Sequence, residues 1–328
     1  MFRLKSVAAD VLLFTPLTQS ILKKRLVKNG QSIVLNYHRL CKTHDPFSPA
    51  LPVDIFRKQV EWLADNFRIM SVGELVERSS KGKPLDGTAA ITFDDGYIDN
   101  YELAFPILKS LQLPATFFIT INFIDGQLPW FERIQYAIRK TGKAFGHLKL
   151  NGKFYDIPLR SVSERLQAIS FIKSKLKKNQ PWTIESYVDE IEKRLRVPVA
   201  ESVGTRFMNW EHVREMASAG MEIGSHTLSH PILSLLPDSQ ARVEIAGSKV
   251  RLEEELRQPV RSFCYPNGKR SDFSEITKKI VKEAGYTSAS TTEVDYFDCK
   301  TDLYEIPRFY TSIYHPGTFY LNLLLGRN

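Results

Sequence analysis

Ala89-Ala90-Ile91-Thr92-Phe93-Asp94-Asp95-Gly96 is a short apolar, partly β-branched run that stops abruptly at two carboxylates and a glycine. Such a run reads as a buried strand, and in α/β folds the groups that do chemistry stand at the ends of strands. Met221-Glu222-Ile223-Gly224-Ser225 reads as a second strand, followed at once by His226-Thr227-Leu228-Ser229-His230. The i, i+4 spacing predicts one helical turn between the two histidines, with both imidazoles on one face and within reach of one ion. Asp-Asp-Gly alone describes a solvated turn equally well, and His-x-x-x-His alone an exposed helix face. Their joint occurrence, each behind a predicted strand, points to metal-assisted hydrolysis.

The chemistry explains why two acids are present. A catalytic zinc takes about three protein ligands and keeps a position open. His226, His230 and one aspartate complete that set, and the other aspartate is left to act on water as a general base. Neighbouring residues at a strand's end point to different sides, which separates the two tasks. Spacing alone leaves open which of Asp94 and Asp95 does which. The expected cofactor is a divalent metal, Zn2+ foremost, although one carboxylate with two imidazoles accommodates several divalent ions.

Strands alternating with helical runs place the chain in the α/β class. Phe56, Val60, Leu63 and Ala64 recur at helical spacing ahead of Ile69-Met70-Ser71, so an early helix leads into a short strand. Between about residues 124 and 206 the composition shifts: 163–178 and 183–195 are charged and helical in period, and Asn151-Gly152 reads as a hairpin turn. This mainly helical insertion separates the two metal-ligand segments. Pro129-Trp130-Phe131 and Trp182 within it are candidate sugar-stacking residues, with packing of the insertion's own core as the plainer account.

A length of 328 residues suffices for one barrel-sized domain with an insertion. The formal net charge of +8 suits an anionic glycan or a phospholipid surface. No RNA-binding signature or aromatic-interleaved basic stripe is present, so no nucleic-acid partner is expected. Cys41, Cys264 and Cys299 are few and far apart, which argues against a disulfide framework or a cysteine zinc site and favours a reducing, cytoplasmic setting. Residues 1–32 carry Arg3, Lys5, Lys23, Lys24 and Arg25 around a short apolar stretch interrupted by Asp10 and Pro16. That pattern predicts an amphipathic helix, either packed on the domain or in peripheral contact with a membrane.

The residues resemble a known family. Thr92-Phe93-Asp94-Asp95-Gly96 and His226-Thr227-Leu228-Ser229-His230 look like the first two signatures of the polysaccharide deacetylases, metal-dependent carbohydrate esterases. Tyr97-Ile98-Asp99-Asn100-Tyr101 and Leu113-Pro114-Ala115-Thr116-Phe117-Phe118-Ile119 extend the likeness, which covers most of residues 33–328. The resemblance implies a distorted (β/α) barrel, Asp94 as catalytic base, and Asp95 with His226 and His230 as metal ligands. Phe263-Cys264-Tyr265-Pro266-Asn267-Gly268 resembles the family's groove-forming motif and implies the Tyr265 backbone N–H as oxyanion donor. Cys264 stands where many members carry arginine, and Asn267 where many carry an aromatic, so support for the base must come from elsewhere; Arg308 in Glu305-Ile306-Pro307-Arg308 is the candidate.

Ile33-Val34-Leu35-Asn36-Tyr37-His38 resembles the first strand of the exopolysaccharide deacetylases and implies His38 as general acid, with His315 in Ile313-Tyr314-His315 as the rival. Trp210 is a candidate border of the acetyl pocket or a core anchor. The implied substrate is an acetylated glycan or a lipid-linked sugar, from which N-acetyl groups would be removed. An O-acetyl esterase and a noncatalytic glycan-binding relative are the alternatives, and retention of the full metal-and-base set argues against the last.

Overall fold

The computed structural model describes residues 30–197, 206–311 and 316–325. Residues 1–29 of the predicted amphipathic segment, and His315, lie outside the described residues. Twelve short strands are assigned among them: β1 (Ile33–Tyr37), β2 (Leu40–Cys41), β3 (Leu51–Pro52), β4 (Arg68–Met70), β5 (Thr88–Phe93), β6 (Thr116–Ile119), β7 (Phe145–Leu150), β8 (Lys153–Pro158), β9 (Glu222–Ser225), β10 (Ser262–Cys264), β11 (Ser288–Ser290) and β12 (Phe309–Tyr310). Contacts divide the chain into two units, Met1–His44 with Ala50–Asp125 and Phe207–Asn328, and Asp45–Pro49 with Gly126–Arg206.

The first unit is built on a parallel sheet in the order β11-β10-β9-β6-β5-β1-β12, with β4 beside β5. β1, β5 and β6 read as near-continuous apolar runs because both faces are covered, and every residue of β1, β5, β6, β10 and β11 is buried. Period-two alternation sorts them. Leu35, Tyr37, Ile91, Phe93, Phe117, Ile223, Phe263 and Phe309 belong to one core. Val34, Ala90, Phe118, Cys264 and Ile306 belong to another, inside the curl of the sheet. The sheet's two ends are joined by the run into β12: Ile306 bridges Ser290 of β11, and Phe309 pairs with Leu35 of β1. This is the (β/α) barrel architecture expected.

The helices around it follow from periodicity and caps. Val53–Asn66 buries Phe56, Val60 and Leu63, spaced as one helical face requires, whereas Ala64 is exposed. Ser71 caps the helix Val72–Ser80 in a reciprocal capping box with Glu74. Gly224 is needed for space: a Cβ there would lie 2.6 Å from the Phe118 ring and 2.9 Å from the Ser262 carbonyl.

The second unit has its own core. Helices Trp130–Lys140, Val162–Leu176 and Pro181–Leu195 and the hairpin β7–β8 bury Ile134, Ile138, Leu148, Ile172, Val188 and Leu195 among themselves. Asn151 and Gly152 turn the hairpin with φ of 49° and 80°, the paired positive angles of a type I′ turn. Trp130 packs against this core, and Trp182 is exposed.

Candidate metal and catalytic centre

The two aspartates separate because the chain turns sharply between them. Asp94 continues from β5, its N–H donating to the Tyr37 carbonyl at 3.1 Å. Asp95 adopts φ 75° and Gly96 φ 89°, which reverses the chain. Aspartate tolerates the left-handed region, but position 96 needs glycine twice over, since a Cβ would also lie 3.0 Å from the Ile124 side chain. Both acids are buried, at 2% and 5% relative exposure.

The histidine pair converges by a different route from the one its spacing predicts. Residues 226–230 are not helical; they form an irregular loop in which Thr227 and His230 take φ of 71° and 63°. A left-handed threonine is uncommon, and surrounding bonds hold it there. Ile121 N–H donates to the Thr227 carbonyl at 3.2 Å and Asn122 N–H to that of Leu228 at 2.8 Å. The Thr227 hydroxyl accepts from His230 N–H at 2.9 Å. The rings end up T-shaped, with centroids 4.8 Å apart.

Asp95 Oδ1 lies 3.6 Å from His226 Nε2 and 3.3 Å from His230 Nε2. Ligand atoms about 2.0–2.2 Å from a tetrahedral zinc stand roughly 3.3–3.5 Å from one another, so the trio fits such an ion. Its orientation fits too. The Cys264 carbonyl accepts from His226 Nδ1–H at 2.8 Å, which leaves the Nε2 lone pair facing Asp95. Burial, against the pull of Asp94, pushes the His226 imidazole down to about 4, so it is neutral and able to ligate at physiological pH.

Asp94 faces another way. Arg308 grips both its oxygens, Nη1 to Oδ1 and Nη2 to Oδ2, each at 2.8 Å. The guanidinium is itself fully engaged: Nε donates to the Thr291 carbonyl at 2.8 Å, Nη1 to Thr92 Oγ1 at 3.0 Å and Nη2 to Cys264 Sγ at 3.0 Å. Burial alone would push the Asp94 carboxyl up, but Arg308, with His226 and His38, outweighs it and holds the group well below the usual carboxylate range. Burial keeps the Cys264 thiol well above its ordinary value despite Arg308, so it stays protonated.

On the open side of Asp94, His38 Nε2 lies 3.7 Å from Oδ2, the imidazole being about one-third exposed. The backbone at His38 is pinned from the Asp99-Asn100 pair: Asn100 Nδ2 donates to the His38 carbonyl at 2.8 Å, and Asp99 accepts from Leu40 N–H at 2.8 Å. Tyr310 stands beside the imidazole, ring centroids 5.8 Å apart.

Tyr265 requires a correction. Its N–H donates to the Ser290 carbonyl at 3.1 Å, and its side chain stacks on Phe273 at 4.1 Å in the outer core, so its amide belongs to the sheet ladder. Pro266 has no N–H to offer. The next backbone donor in the loop is Asn267, at φ 61°. Trp210 donates Nε1–H to Asp125 at 2.7 Å and lies under the Arg251 guanidinium. The Thr291–Glu293 stretch, given no role from sequence, supplies the Thr291 carbonyl to Arg308 Nε and the Glu293 carbonyl to Arg308 N–H.

Comparison with known proteins agrees with this architecture. The family model described as polysaccharide deacetylase matches residues 81–148 and 163–289, more than half of the chain. The chain therefore belongs to the polysaccharide deacetylase family. It is 24% identical to YxkH of Bacillus subtilis over 262 residues, which make up 79% of this chain and 64% of that protein. It is 30% identical over 117 residues to the poly-beta-1,6-N-acetyl-D-glucosamine N-deacetylase of Staphylococcus epidermidis, covering 31% of this chain and 40% of the relative. The chain thus matches less than two thirds of the length of either. Among solved structures, the Streptococcus pyogenes deacetylase PplD in complex with acetate shares the fold with a TM-score of 0.60 at 18% identity, over 91% of this chain and 98% of that one.

Proposed function

We propose that this protein removes N-acetyl groups from acetamido sugars of a polysaccharide or a lipid-linked glycan, with a divalent metal, Zn2+ foremost, held by Asp95, His226 and His230. The observation that carries the reading is the division of labour between adjacent carboxylates. Asp95 converges with two imidazoles at ligand separations, while Asp94 is held apart in the Arg308 fork. The N-deacetylase activity of the staphylococcal relative supports the same reaction class.

An ion held by the trio would supply Lewis acidity toward the acetyl carbonyl and make water acidic enough to yield a nucleophile near neutral pH. Asp94, ionised and fixed by Arg308, accepts the proton from the attacking water. Because Arg308 makes the carboxylate a weak base, it holds that proton only briefly. His38 Nε2, 3.7 Å away, is the group placed to deliver a proton to the departing nitrogen. The Asn267 N–H takes the place proposed for Tyr265 as backbone donor to the oxyanion, a contribution worth roughly two orders of magnitude in rate.

An amine leaves poorly unless protonated, so an acid at the position of His38 favours amide over ester hydrolysis. The test is metal content together with acetate release from N-acetylated and O-acetylated oligosaccharides. Release from N-acetyl substrates by protein carrying about one ion per chain is expected. Release from O-acetyl substrates alone would establish the esterase alternative, and metal-loaded protein releasing acetate from neither would overturn the enzymatic reading.

A further inference from the structure

Among the described residues, Asn36 on β1 and His38 just beyond its end carry buried polar atoms with no hydrogen bond. Asn36 is 2% exposed, and neither its Oδ1 nor its Nδ2 makes a hydrogen bond; His38 Nδ1 is likewise buried and unbonded. Leaving a buried donor or acceptor unsatisfied forfeits its solvation without return, and an apolar residue at position 36 would avoid that penalty. The amide is therefore kept at a cost that stability does not explain.

Register fixes where it points. Ile33, Leu35 and Tyr37 face the outer core and Val34 the inner one, so Asn36 faces inward. Its neighbours in register are Thr92 and Tyr310. Thr92 turns its hydroxyl to the inward-facing Arg308, and the Tyr310 ring lies beside His38. His38, two residues on, is the next group on this inner face, its Nε2 toward Asp94. Side chains at i and i+2 of a strand stand roughly 6.6 Å apart. No direct hydrogen bond joins the two side chains, and one water between them would partner both.

We propose that Asn36 is a positioning residue for His38, acting through one bridging water. His38 Nδ1–H donates to the water and the water donates to Asn36 Oδ1, while Nε2 is left to exchange its proton with Asp94 and the departing nitrogen. The second nitrogen of an imidazole is set by the hydrogen bond the first one makes. The arrangement serves both charge states, since Nδ1 keeps its proton while Nε2 gains and loses one. A neutral amide suits the place better than a carboxylate, which would compete with Asp94 for Arg308.

The inference rests on the reading of His38 as the general acid, and two measurements keep the ideas separable. In 15N spectra of the metal-loaded protein, with the His38 signals assigned through His38→Ala, neutral His38 should carry its proton on Nδ1. In Asn36→Leu the Nε2-protonated form should gain population, and kcat on N-acetyl substrates should fall about 10- to 100-fold, the usual worth of a partner that orients an imidazole. KM and metal content should hold. Asn36→Gln, which keeps the amide, should recover part of the rate. Wild-type protein with neutral His38 protonated on Nε2 would overturn the proposal without any variant, as would Asn36→Leu with unchanged tautomer and kcat. Full amide activity in His38→Ala would instead sink the acid assignment, with the tautomer still reporting on the Asn36 link.

Discussion

Replacing Arg308 with methionine strips the Asp94 carboxylate of both charge-assisted bonds, each 2.8 Å, in a site where the acid is 2% exposed. Removing one partner of a buried pair typically costs about 3–5 kcal/mol, because the remaining charge is left uncompensated. The carboxyl escapes by taking up a proton. In the wild type its folded pKa is depressed, so the pair's stabilisation is present above the unfolded value of about 3.9 and is lost as pH falls through the folded value. With the guanidinium gone, burial raises the folded pKa instead, and the acid destabilises the fold increasingly as pH rises. The gap between wild type and Arg308→Met, from urea denaturation of the metal-free proteins, should therefore be wide at pH 7 and narrower near pH 4. Lost bonds to Thr291 and Thr92 leave a remainder independent of pH. The same protonation removes the general base, lowering kcat by about two to four orders of magnitude. Asp94→Asn in the Arg308→Met background should cost little further stability, since the charge it removes is already lost. An Arg308→Met variant within about 1 kcal/mol of wild type at pH 7, or equally destabilised at both pH values, would refute a charge pair worth this much.

Asp95→Ala, His226→Ala and His230→Ala should each abolish stoichiometric metal binding by elemental analysis, whereas Asp94→Asn should keep the metal and lose turnover. His38→Ala should slow amide substrates by about two to four orders of magnitude while sparing esters with good leaving groups and leaving metal content intact. In the metal-free protein His226 titrates at about 4 rather than 6.5. Its folded pKa is thus depressed, and roughly 3 kcal/mol of stability present above the unfolded value should be lost as pH falls from there through the folded value. Chemical denaturation across that range should show the slope in wild type and a flatter one in His226→Asn.

The elements that can be read locally are the ones that hold in three dimensions. The Ala89–Phe93 run is a buried strand because a continuous apolar segment bounded by Asp-Asp-Gly has both faces to cover. The helices at Val53–Asn66, Val162–Leu176 and Pro181–Leu195 and the Asn151-Gly152 turn follow from periodicity and turn chemistry within a few residues. Spacing misleads where backbone conformation departs from what residue type advertises: a helical turn is the economical reading of His226 to His230, yet left-handed Thr227 and His230 bring the rings together through a loop held by Ile121 and Asn122. Tyr265 misled for a related reason, since only the pairing of β10 with β11 shows that its N–H is committed.

Two carboxylates at a strand's end, a histidine pair behind another, and the class of reaction such groups perform are all legible in one dimension. Which atoms meet is settled only in the folded chain. Arg308 stands 214 positions from Asp94 and reaches it only because β12 pairs with β1, which pairs in turn with β5. Cys264, which looks inert in sequence, orients His226 through its carbonyl and touches Arg308 through its sulfur. Asn36 looks like an interruption in an apolar strand until register turns it inward. Hydrophobic pattern is a property of neighbours in the chain and so survives in one dimension, whereas register and hydrogen-bond commitment arise from strand pairing between distant segments and exist only once the sheet has closed.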